Sequence, residues 1–132
     1  MPTPAEIGLR RWHDVVASRD ATHLPGLIAE DAVFRSPAVH TPQEGRDLVT
    51  AYLSGALVVL GPELSYTDEW VREHDAVLRF TTVVDGLQVE GIDLIRWDDD
   101  GQIVDFTVMI RPFKALQAVM GRMLEELTRQ PG

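Results

Sequence analysis

The chain has no cysteine. Disulfides, thiolate zinc sites and cysteine nucleophiles are therefore excluded. Basic residues are scarce: 12 Lys and Arg stand against 21 Asp and Glu, a net charge of -9. Such a chain repels phosphate backbones and anionic bilayer surfaces, so neither nucleic acid nor membrane is an expected partner. Long apolar runs are also missing. The longest, Ala56 to Leu60, is far too short to span a bilayer. No basic stretch precedes an apolar one near Met1, so no signal peptide is expected and a cytoplasmic location is. The sequence holds no G-x-S-x-G, no phosphate loop and no dinucleotide fingerprint. His13, His23, His40 and His74 are scattered without metal-ligand spacing. Asp98-Asp99-Asp100-Gly101 lacks the alternate oxygens and closing Glu of a calcium loop. Neither metal nor cofactor is expected.

What is present is an ordinary globular composition, 45% hydrophobic over 132 residues. That length suits one domain with a sizeable core, here 1–132, and no repeat or linker divides it. Pro4 to Ser18 reads as a helix with Ala5, Leu9, Trp12 and Val16 on one stripe. Asp20 or Thr22 caps a short second helix carrying Leu24, Leu27 and Ile28. Ala32 to Ser36 reads as a strand ended by Pro37. Glu44 to Leu60 is a third helix, apolar on more than one side and stopped by Gly61-Pro62. Strands follow over Leu64 to Glu73, Ala76 to Val84, Leu87 to Trp97 and Gln102 to Arg111. Asp85-Gly86 and the acidic turn at Gly101 join them as hairpins. Pro112 opens a last helix striped by Phe113, Leu116, Met120, Met123 and Leu127. The order implies an α+β domain with helices on one face of a curved antiparallel sheet.

One carboxylate breaks this pattern. Asp93 sits between Ile92 and Leu94 in the middle of a strand, on the face shared by Leu87, Val89, Gly91 and Ile95. It must meet water, a partner or a pocket. Glycine at 91 leaves room beside it for a ligand. Apolar neighbours penalise its charged form, so its pKa is expected to rise. An N–H from Trp12 or a hydroxyl from Tyr52 opposes that rise. The alternative is a carboxylate fixed as an ordinary acceptor between protein donors. Trp12 itself is either plain core or a buried donor needing a partner.

Ala29 to Pro37, Gly45-Arg46, and Gly91-Ile92-Asp93-Leu94-Ile95-Arg96-Trp97 with Gly101-Gln102-Ile103 carry a resemblance. With the first helix ending in Asp20 they cover most of the chain. Together they resemble the family of nuclear transport factor two, ketosteroid isomerase and SnoaL. The resemblance implies a cone: a curved sheet wrapped around the long third helix, an extra C-terminal helix, and an apolar pocket at the wide end. Many members are dimers. The fold hosts isomerases, cyclases, dehydratases, epoxide hydrolases and non-catalytic binders, so it does not fix a reaction. The resemblance places the oxyanion-hole aspartate of ketosteroid isomerases on Asp93. It places their general base on Ser36 and their first-helix tyrosine on Trp12. A serine has no useful basicity without its own base, so the isomerase set is altered here. The Asp-Arg-Asp constellation of epoxide hydrolases is absent from the inward strand faces. Cyclases and dehydratases place Asp or His inside the cone, which makes His13 and His40 candidates beside Asp93.

Two functions follow. The first is a SnoaL-like pocket protein for an apolar small molecule bearing a carbonyl or hydroxyl, an isomerase, cyclase or dehydratase relative. Asp93 is its polar anchor and leading catalytic candidate, and Ser36 its second polar group. The expected walls are Trp12, Phe34, Tyr52, Leu53, Leu78, Phe80, Val89, Phe106, Val108 and Ile110. The second is a non-catalytic dimeric module whose cone is packed shut. Ile92 and Leu94 face the outer side of the sheet, so a homodimer through that face is expected, unless the last helix covers it.

Overall fold

A capping box starts the first element. In the computed structural model, which describes residues 1–130, Thr3 Oγ1 accepts from the Glu6 N–H and the Glu6 carboxylate accepts from the Thr3 N–H. Pro131 and Gly132, the end of the expected domain, lie outside the described residues. Helix α1 then runs Pro4–Ser18 and buries Ala5, Leu9 and Trp12 as its stripe requires. A Cβ built on Gly8 would fall 2.2 Å from the Trp97 indole nitrogen. Only glycine lets α1 lie this close to the sheet.

The short second helix is a 3-10 helix, Ala21–Leu27, capped by Asp20. It is shorter than expected because Ile28 already belongs to strand β1, Ile28–Arg35. Gln43–Glu44 form a two-residue strand β2 paired with Val33 and Phe34. This moves the start of helix α2 to Arg46, behind Gly45 at φ +101°; it ends at Leu60 as expected. Strands β3 (Ser65–Val71), β4 (Asp75–Val84), β5 (Leu87–Trp97) and β6 (Ile103–Arg111) follow, then helix α3, Phe113–Arg129, with Pro112 as its N-cap.

The six strands form one open, curved sheet in the order β2-β1-β6-β5-β4-β3. The hairpins β3 to β6 are antiparallel, as expected. The pairing of β1 with β6 is parallel, which corrects the picture of a wholly antiparallel sheet. No tight turn links these two strands, so turn geometry does not dictate their direction. The inward faces carry Ala76, Leu78, Phe80, Thr82 and Val84 on β4, and Val89, Gly91, Asp93, Ile95 and Trp97 on β5. Helices α1, α2 and α3 pack against this side. The last helix therefore leaves the outer face open: Leu94 and Met109 remain 39% and 56% exposed. Among the described residues no helix is long and apolar enough to cross a membrane.

Candidate functional site

The site grows from an irregularity in β3. Trp70 pairs with Val77, and Asp68 with Arg79, both on the outer face. Strict alternation would turn Tyr66 outward as well. A bulge at Thr67 skips one residue, so Tyr66 pairs with Phe80 and turns inward. There its hydroxyl donates to Asp93 Oδ2 at 2.6 Å and accepts from the Trp12 indole N–H at 2.9 Å. Three elements, α1, β3 and β5, thus meet in one hydrogen-bonded chain. Asp93 is buried, with Leu78 and Val108 as its cross-strand neighbours. Burial pushes its carboxyl up to about 7, against the downward pull of the Tyr66 hydroxyl. Burial raises the Tyr66 hydroxyl well above its ordinary value, and the Asp93 charge raises it further.

Asp93 Oδ1 makes no hydrogen bond among the described residues, and Asp93 lines a cavity of about 280 Å³. Trp12, Phe34, Ser36, Tyr52 and Leu53 line the same space, as do Phe80, Phe106, Val108 and Ile110. Ten of the twelve expected site residues therefore converge. The aromatic wall is ordered: Trp12 meets Phe106 edge-on at 5.0 Å, and Phe34 stacks on Tyr52 at 5.2 Å. Leu78 and Val89 do not line it. Both point inward but lie fully buried in the packed core, so their assignment to the wall is corrected. The space beside Gly91 is not free for a ligand either. Phe80 fills it, with ring carbons 2.5 and 2.9 Å from where a Cβ would stand.

The SnoaL-like domain family matches residues 9–106. The chain belongs to the SnoaL-like family. A solved steroid delta-isomerase from Pseudomonas aeruginosa is 40% identical, with a TM-score of 0.90 over 95% of this chain and 92% of that one. A protein with a cystatin-like fold from Silicibacter pomeroyi DSS-3 is 31% identical, with a TM-score of 0.86 over 93% and 86%. An NTF2-like protein from Mesorhizobium loti is 26% identical, with a TM-score of 0.71 over 83% and 92%. No curated protein matches the chain.

Within this SnoaL-like cone, Asp93 is the one carboxyl among the described residues that line the cavity. Ser36 Oγ accepts from the Ala38 N–H at 3.1 Å and is hydrogen-bonded to no basic side chain among the described residues. His13 is outside: it pairs with Glu69 on the surface, its ring edge-on to Tyr66. His40 is exposed and does not line the cavity. Neither histidine is the second inward group considered for a cyclase or dehydratase. No group of three or more acidic or histidine side chains among the described residues is placed to hold a metal. Tyr66 escaped the reading of the sequence because the bulge that turns it inward leaves no mark in hydrophobic alternation. Val39, Met120 and Leu124 line the cavity where it is exposed, and none of them was among the expected wall residues.

Proposed function

We propose that this SnoaL-like protein binds a neutral, largely apolar small molecule and polarises its carbonyl or hydroxyl oxygen through Asp93. The observation that carries this is a buried carboxyl with one oxygen held by Tyr66 and the other unpaired in an apolar cavity. Among the described residues no Lys, Arg or His lines the space, so it offers no counter-charge to a carboxylate or phosphate ligand. A buried carboxyl raised to about 7 can give or take a proton near neutral pH. The kinship with a steroid delta-isomerase supports a polycyclic, oxygen-bearing ligand. The absence of a base at Ser36 argues that double-bond isomerisation by the two-aspartate route does not operate. Proton transfer in this cavity would run through Asp93 alone. The open space beside Asp93 favours this reading over a non-catalytic module with a filled cone. The exposed outer sheet face supports a homodimer, with the cavity on the opposite side of the sheet.

Binding of acetylnaphthalene, followed by quenching of tryptophan fluorescence, tests the proposal. The wild-type protein should prefer this ketone to ethylnaphthalene, which has the same ring system and no oxygen. Asp93→Leu should bind both and lose the preference. Failure of the wild-type protein to bind either probe would reject the proposal.

A further inference from the structure

We infer that the indole N–H of Trp12 fixes the direction of the Trp12–Tyr66–Asp93 chain, so that a neutral Asp93 carries its proton on Oδ1, facing the cavity. This rests on the reading of Asp93 as a protonatable anchor. An indole nitrogen donates and cannot accept. The Tyr66 hydroxyl must therefore accept from Trp12, and its single hydrogen remains for its other neighbour, Asp93 Oδ2. Placing the Asp93 proton on Oδ2 would aim two donors at one phenolic oxygen. It would also turn the Tyr66 hydrogen away from Asp93 Oδ2, the one acceptor it has among the described residues, in a buried place where an unpaired O–H is costly. Oδ1 is not sealed. Among the described residues the polar side-chain atoms that are both sealed and unpaired are Thr50 Oγ1 and Trp97 Nε1, and Asp93 is not among them.

The consequence is a rule for the ligand. With Asp93 neutral, Oδ1 is a donor and selects a ketone, ester or quinone oxygen. With Asp93 ionised, Oδ1 is an acceptor and selects an alcohol or phenol. Tyr66 stays on Oδ2 in both states. The groups able to disturb this are few. Tyr66 faces Asp93 from β3, with Glu69 and His13 behind it at the surface, and Tyr52 lines the cavity from α2. From β4, β6 and α3 the lining side chains are Phe80, Phe106, Val108, Ile110 and apolar residues of the last helix, none of them titratable.

Neutron diffraction from crystals of the full chain in heavy water, below the Asp93 midpoint, locates the protons directly. The expected map has deuterium on Asp93 Oδ1 and the Tyr66 deuterium on the line to Oδ2. Deuterium on Oδ2, with that of Tyr66 turned elsewhere, overturns the inference and leaves Asp93 protonatable. An Asp93 without deuterium overturns the reading beneath it as well. In solution, the ratio of affinities for acetylnaphthalene and ethylnaphthalene should fall several-fold as pH rises through about 7. Trp12→Phe should flatten that response, because the freed Tyr66 oxygen then competes for the Asp93 proton. A folded Trp12→Phe protein with the full wild-type response contradicts the role given to Trp12. Should that variant not fold, the neutron map decides alone.

Discussion

At the scale of single residues, the informative ones are those whose polarity disagrees with their surroundings. Asp93 was legible in the sequence because a charge in the middle of an apolar strand demands a reason. Its partner was not. Tyr66 lies in a strand of mostly polar, exposed residues, and its inward turn depends on the bulge at Thr67. Thr67 Oγ1 bonds to the Asp68 carboxylate and the Arg79 carbonyl there, a local device no period-two pattern reveals. Tyr66→Phe tests the assigned bond. It removes a donor that favours the charged form of Asp93, so the Asp93 pKa should climb further above 7. It also strands the Trp12 N–H, and should cost about 1–3 kcal/mol of stability. An unchanged or lower Asp93 midpoint in an NMR titration would show that the Tyr66 hydroxyl does not bond the carboxylate in solution.

At the scale of elements, the sequence and the structure agree where periodicity is long. α1, α2, α3 and the four hairpin strands fall close to their expected bounds, because stripes, caps and turns repeat the same message. They part company where an element is short or its partner is distant. β2 is two residues long, and β1 pairs with β6 across most of the chain. The close approach of α1 to β5 is equally silent, since Gly8 reads in sequence as a weak helix former and not as a contact. The structure makes it a contact with the buried Trp97 ring. Gly8→Ala must push that ring or tilt α1, which also carries Trp12. A loss of about 1–3 kcal/mol in denaturant unfolding is expected, as for other overpacked cores. A variant as stable as the wild type would show that α1 yields without cost.

At the scale of the whole molecule, the sheet divides two tasks. Its inner face holds the cavity. Its outer face shows Trp70, Val77 and Leu94 in one cross-strand row, with Ile92 and Met109 in the next. Salt-bridged Arg79 and Glu90 stand beside them. A two-fold dimer through this face is the expected assembly. Sedimentation should show a dimer at micromolar protein, and Leu94→Arg should shift it to monomer; a wild-type monomer throughout would remove this proposal. Stability also carries the mark of Asp93. Its folded-state pKa lies above the ordinary 3.8, so the protein binds the proton more tightly when folded. The contribution of Asp93 to stability is then fully present below pH 3.8 and is lost as pH rises towards about 7, by about 1.4 kcal/mol per unit at most. Asp93→Asn keeps a donor and escapes this loss, so its advantage in denaturant unfolding should grow with pH over that window. An advantage independent of pH would contradict the linkage. Titration of the Asp93 carboxyl carbon by NMR tests most directly whether the apolar cavity is lined by a carboxyl that takes up a proton near neutral pH. A midpoint of about 7 is expected, and a midpoint at or below 3.8 would show a carboxyl that burial does not raise.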